Sequence, residues 1–192
     1  MSVPDPRGNA PRYRGGRLLV AAPTLVDPHF RRAVLVMLEH SQDGALGLVL
    51  NQPTEIQAAD ALPDPLCELV PDTELIHVGG PVQPTAVIIL AEFDTPERAA
   101  GLVIDRIGVV DPDGAIDDLS EHVGEVRVFS GYAGWAPGQL EAEIEQGAWI
   151  DVAAMAQDIF TGTPERLWRE VLERKGGTFR LIARMPEDPS LN

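Results

Sequence analysis

The sequence predicts one mixed α+β domain, or an irregular α/β one. Three observations carry this. Its 192 residues fill about one domain at ~150 residues each. Short apolar runs with β character, about nine of them, outnumber the helical stretches. The gaps between successive runs are mostly too short for the crossover helices of a doubly wound sheet. A chain of this length buries roughly 70% of its extended surface, enough for a core without disulfides or metals.

The elements follow in order. Residues 1–16 (MSVPDPRGNAPRYRGG) are rich in Pro, Gly and Arg, and are read as a flexible arm ahead of a globular domain at 17–192. Arg17–Ala22 is a buried strand. Ala33–Glu39 and Ala45–Leu50 flank the polar turn His40–Gly44, a hairpin signature. Several of these runs are continuously apolar, which predicts cover on both faces. Ile56–Val70 is helical in pattern but interrupted by Pro63 and Pro65, giving two short pieces. Strands are predicted at Glu74–Val78, Thr85–Leu90, Leu102–Val110, Glu125–Ser130, Trp149–Val152 and Thr178–Ala183. Pro96–Ala100 gives about one helical turn, and Gln139–Gln146 a short helix. Pro164–Lys175 is the clearest helix. Leu167, Trp168, Val171 and Leu172 share one face, Lys175 suits the C-terminal dipole, and Gly176 stops it. The two T-P-E-R copies, at 95–98 and 163–166, read as helix starts with Thr as N-cap and Pro at the first helical position.

Charge is unevenly spread. Residues 1–38 carry a net +4, 39–158 a net −20 and 159–192 a net +1, for −15 overall. A body this acidic repels phosphate backbones and anionic membrane surfaces. Direct nucleic-acid binding and membrane association are therefore not expected. Weak contact through the N-terminal arginines Arg7, Arg12, Arg14 and Arg17 is the exception. No apolar run reaches 18 residues, and the first 20 lack a signal-peptide core, so a cytoplasmic protein is expected.

The common chemical motifs are missing. The four histidines stand apart, and H-E-x-x-H is absent. With one cysteine, neither a disulfide framework nor a four-cysteine metal site can form. Asp111–Asp118 resembles a calcium loop but lacks its sixth-position Gly and twelfth-position Glu. Neither a phosphate-binding loop nor G-x-S-x-G is present. No cofactor, metal or catalytic residue is assigned. Cys67 has no basic neighbour in sequence and reads as a buried, inert thiol.

Three segments remain as candidates for contact with a ligand or partner. Ser130-Gly131-Tyr132-Ala-Gly-Trp135, leading to Gln139, reads as a strand-to-helix turn. Its glycines permit tight backbone, and its two rings either pin the helix or face a ligand. Gly79-Gly80 forms a second glycine-rich bend, and Asn51 ends a strand, where it caps or binds.

These same residues resemble the AlgH/YqgE family of bacterial proteins. The resemblance rests on Gly16–Pro23 with Asp27-Pro28-His29-Phe30-Arg31, on Gly44–Pro53, and on Gly79–Val82. It continues through Ser130–Trp135, Gly138–Glu143, Gly147-Ala148-Trp149, and Pro164-Glu165 with Trp168. It implies a branched sheet that curls partly into a barrel, surrounded by short helices. It supplies no catalytic residues. The name transcriptional regulator, used for some members, implies an effect on gene expression without implying DNA contact. The expected function is non-catalytic binding or regulation of an unknown protein partner or small ligand. The contact residues expected are Asn51, Gly79, Gly80, Ser130, Gly131, Tyr132, Trp135 and Gln139. Two alternatives stand beside it. One is an enzyme using Ser130 or Tyr132 with Asp27 or His77 as base; the other is weak DNA binding through the arm.

Overall fold

A computed structural model describes residues 15–114 and 116–186. Most of the expected arm, and the last six residues of the chain, lie outside the described residues.

The backbone is a ten-stranded, mostly antiparallel sheet with a few short helices. The strands are β1 (Arg17–Ala21), β2 (Val34–Ser41), β3 (Gly44–Val49), β4 (Pro53–Gln57), β5 (Leu75–Val78), β6 (Val82–Phe93), β7 (Gly101–Ile104), β8 (Ile107–Val109), β9 (Val123–Trp135) and β10 (Trp149–Ala153). The helices are α1 (Ala58–Ala61), α2 (Ile116–Leu119), α3 (Gln139–Glu145), α4 (Ala156–Ile159), α5 (Pro164–Lys175) and α6 (Phe179–Ile182). Single 3-10 turns occupy Leu66–Leu69 and Pro96–Arg98.

The main path runs β10-β1-β2-β3-β9-β6-β8-β7, and β5 with β4 leaves it at β9. One edge of β9 pairs with β6 from Val123 to Tyr132, with two register shifts. Its other edge is shared: β5 runs parallel to it at Val128–Ser130, and β3 runs antiparallel at Ala133–Trp135. The sheet is therefore branched.

It does not curl into a barrel, contrary to the expectation. The terminal strands β10 and β7 do not pair. At the β10 end, α5 covers the free edge. Lys175 donates to the Asp151 carbonyl at 2.7 Å and Arg174 to that of Ala153 at 3.3 Å, so cationic side chains take acceptors that a closing strand would need.

β1 to β3 are apolar because both of their faces are covered. Leu18, Val20, Val34, Val36, Leu48 and Leu50 pack against Leu167, Trp168, Val171 and Leu172 of α5. Leu19, Ala21, Leu35, Met37 and Val49 pack beneath Leu140 of α3, with Trp135 and Trp149. Each fully buried Leu or Val contributes roughly 1.5–3 kcal/mol relative to exposure. A charge at Val171, which is wholly buried, would break the α5 contact.

Several local readings are corrected. Leu102–Val110 is not one strand but the β7/β8 hairpin, turning at Asp105, which adopts φ +50°. Thr178–Ala183 holds the helix α6: Phe179, Ile182 and Ala183 face the core at helical spacing, and no strand among the described residues pairs with the segment. Ser130–Trp135 is not a strand-to-helix turn but the last six residues of β9, kinked at Gly131, where φ is +67°. Thr95 and Thr163 occupy the N-cap positions ahead of proline, yet neither side chain makes a capping bond. Cys67 is half-buried rather than buried, and donates to the Asp64 carboxylate at 2.9 Å. That bond, ahead of desolvation, holds the thiol above its ordinary pKa. β4, α2 and α4 were not foreseen.

Candidate functional site

The branch point of the sheet is built from glycines because backbones meet there without room for side chains. Gly79 donates its N–H to the Ser130 carbonyl on β9 at 2.8 Å. Its own carbonyl accepts from Val49 on β3 at 2.9 Å. One residue thus joins the two strands at the point where β5 ends. A Cβ on Gly79 would sit 2.3 Å from the Gly131 oxygen, and one on Gly80 only 2.2 Å from the Tyr132 carbonyl carbon. Gln52 closes the other side, its carbonyl accepting from Val78 at 2.8 Å. Asn51, Gly79, Gly80, Ser130, Gly131 and Tyr132 therefore come from three distant segments into one neighbourhood.

Trp135 and Gln139 belong to an adjoining cluster. The Glu143 carboxylate on α3 accepts from Trp135 Nε1 at 2.9 Å and Trp149 Nε1 at 2.7 Å, both on Oε2. Its Oε1 takes the Gln139 amide at 2.9 Å. Gln139 also accepts the Ala136 N–H at 3.1 Å, satisfying backbone at the start of α3. Both indoles are buried. Phe30 completes a three-ring cluster, its centroid 6.5 Å from Trp135 and 5.5 Å from Trp149, with the two indoles edge-on at 6.0 Å.

Phe30 comes from the connection between β1 and β2, residues 22–33, and the other motif residues hold the same segment. Asn51 Oδ1 accepts from Val34 N–H at 2.8 Å, and its Nδ2 donates to the Arg32 carbonyl at 2.9 Å. The Gln52 amide donates to the His29 carbonyl at 2.9 Å. Asp27 accepts the His29 N–H at 2.8 Å and starts the tight turn. The Arg32 guanidinium lies 4.5 Å above the Trp168 ring and donates to the Met185 carbonyl. Trp168 Nε1 in turn donates to the Ala21 carbonyl at 2.8 Å. The 22–33 loop is thus gripped on three sides. Yet Thr24, Val26, Asp27, His29 and Arg31 stay exposed, Val26 at 84%.

The residues considered for acid–base chemistry are elsewhere engaged. Asp27 is committed to its turn. His77 is buried on β5, tilted on Phe129 at 5.9 Å, with Nδ1 3.0 Å from the Leu75 carbonyl. Desolvation, then the nearby Arg127 charge, lowers its pKa to about 4. Neither residue hydrogen-bonds to Ser130 or Tyr132 among the described residues. Beside His77, Arg127 Nε lies 3.0 Å from Glu74 Oε1, and both Arg127 terminal nitrogens donate to the Thr161 carbonyl. Burial raises the Glu74 pKa against the pull of Arg127. This pair ties β5, β9 and the segment before α5 together. Among the described residues, no group of three or more His, Cys, Asp and Glu is placed to hold a metal ion. No helix there is long and apolar enough to cross a membrane.

A family model described as AlgH-like, DUF179, matches residues 18–180. The chain belongs to the AlgH-like family. A UPF0301 protein of Streptomyces coelicolor is 43% identical over 185 residues, covering 92% of this chain and 94% of the relative. One from Chlorobaculum tepidum is 38% identical over 188 residues. Among solved structures, protein DIP2367 of Corynebacterium diphtheriae superposes with a TM-score of 0.81 at 25% identity, covering 96% of this chain and 95% of that one. The solution structure of AlgH from Pseudomonas aeruginosa gives 0.67 at 27%, with 97% and 98% covered. Of its recognisable blocks, Asn51-Gln52, Trp135, Trp149 and Trp168 hold the 22–33 loop, while Gly79-Gly80 and Ser130–Tyr132 form the branch point of the sheet. Sequence reasoning missed the loop itself, although the turn-forming Asp27-Pro28 was a legible signal.

Proposed function

We propose that this AlgH-like protein is a non-catalytic binding protein that docks a protein partner through the 22–33 loop, and that any effect on gene expression passes through that partner. The observation carrying this reading is the pair of side-chain amides, Asn51 and Gln52, spent on fixing the backbone of an exposed loop. A surface loop held in one shape has already lost the entropy that binding would otherwise cost. Gly79, Gly80, Gly131, Trp135 and Gln139 act in this reading by supporting the loop and its neighbours. Ser130 and Tyr132 line the half-buried branch point behind it. The acidic body supports a protein partner over DNA.

The test is affinity capture from cytosol with the full chain, comparing wild type, a Val26→Asp/His29→Ala double variant and Tyr132→Phe. The expected result is a stoichiometric partner held by wild type and by Tyr132→Phe, and lost from the loop variant, with the thermal midpoint unchanged in all three. Capture that survives the loop substitutions would overturn the proposal.

A further inference from the structure

A second feature stands apart from the loop's exposed face. Where β10 ends the sheet, a cavity of about 600 Å³ opens between the strand, α6 and the start of the 22–33 loop. Its walls are Pro23, Trp149, Ile150, Phe179 and Ile182, so it is mainly apolar. The volume falls in the range of small-molecule sites, which are typically apolar with a few placed polar groups.

The polar groups are three. Arg17 Nε pairs with Asp151 Oδ1 at 2.8 Å. Lys175 Nζ donates to the Asp151 carbonyl at 2.7 Å and lies 4.8 Å above the Phe179 ring. Arg17 thus meets the Asp151 carboxylate and Lys175 the Asp151 carbonyl, which leaves two cations and one anion at the rim of an apolar cavity, on a chain whose net charge is −15. The Lys175 ammonium has two further N–H donors beyond the one given to Asp151. Lys175 is exposed, and its contact with the Phe179 ring holds the charge beside the apolar wall of the cavity.

We propose that this cavity binds a small monocarboxylate with an apolar body, the body against Ile150, Phe179 and Ile182 and the carboxylate on Lys175. The charge complementarity excludes amines as good ligands, and the apolar walls disfavour sugars and free phosphate.

The experiment uses the full chain and four probes: decanoate, indole-3-acetate, decanol and decylamine. Binding is followed by calorimetry and by amide NMR shifts. Saturable decanoate or indole-3-acetate binding is expected, with the largest shifts at Ile150, Phe179 and Ile182. The better of the two reports whether an alkyl or an aromatic body fits. Decanol and decylamine should bind at least about tenfold more weakly, the worth of one charge-assisted hydrogen bond. Lys175→Met should remove that preference for the carboxylate while leaving the fold intact, and Ile182→Asp should abolish binding. No saturable binding by either acid, equal binding of decanoate and decanol, or shifts centred elsewhere would each overturn the proposal.

Discussion

Glu143 accepts the indole N–H of Trp135 at 2.9 Å on the same oxygen that receives Trp149. One half-buried carboxylate therefore satisfies the donors of two buried indoles. Replacing it by alanine should orphan both and cost about 2–4 kcal/mol, whereas Glu143→Gln, which keeps an acceptor, should cost about 1 kcal/mol. Urea unfolding measures the difference. The indole proton resonances of Trp135 and Trp149 should move in both variants. That of Trp168, which donates to Ala21, should stay. Unmoved resonances in the alanine variant would show that the contact does not form in solution.

Asn51 and Gln52 hold the loop with unequal consequences. Val34 is fully buried, so Asn51→Ala strands its N–H, at a cost of about 1–3 kcal/mol. The Gln52 bond is exposed, and Gln52→Ala should cost no more than about 1 kcal/mol. Hydrogen exchange discriminates the two. The Val34 amide should exchange much faster in the Asn51 variant and at its wild-type rate in the Gln52 variant. Equal protection in both would remove Asn51 from the account of the loop.

The glycines at the branch point separate from glycines elsewhere. Gly80→Ala drives a methyl into the Tyr132 backbone and should cost about 3 kcal/mol or more, or prevent folding. Gly101→Ala meets nothing within 4 Å and should change stability by less than about 0.5 kcal/mol. Thermal midpoints of the two purified variants check this, and a Gly80→Ala protein as stable as wild type would contradict the close approach.

His77 makes stability depend on pH in a defined direction. Its folded pKa, about 4, lies below the ordinary 6.5, so between those values the unfolded chain binds the proton and the folded chain does not. Its contribution should be level above pH 6.5 and then fall as pH drops toward 4, by an amount on the order of 3 kcal/mol. Glu74, whose raised pKa favours the protonated folded form, acts in the opposite sense, so the comparison must be made against a His77→Gln variant. Denaturant midpoints from pH 7.5 to 4.5 should fall less steeply in the variant. Parallel curves would contradict a buried, neutral His77.

What the residues revealed by themselves was local. α5 was legible to its boundaries because Pro164, the Leu167–Leu172 face and Gly176 are near neighbours whose signals reinforce one another. The β2/β3 hairpin was legible for the same reason. α6 was misread because six residues with Phe179, Leu181 and Ile182 fit alternation as well as helical spacing, and only the neighbouring elements choose. β7/β8 was merged because Asp105-Arg106 is a weak turn signal within an apolar run.

The motif blocks show the same division at a larger scale. The sequence alone marked Gly79-Gly80, Ser130–Trp135 and Asn51-Gln52 as unusual. Only the tertiary structure decided that these blocks meet at the branch point of the sheet, with Asn51-Gln52 and Trp135 reaching the 22–33 loop. The physical reason is that the meeting is made by backbone groups. The bonds from Gly79 to Ser130 and from Val49 to Gly79 use the same N–H and C=O that every residue but proline carries. Which of them pair across long stretches of chain leaves no mark on side-chain chemistry until the strands are in place.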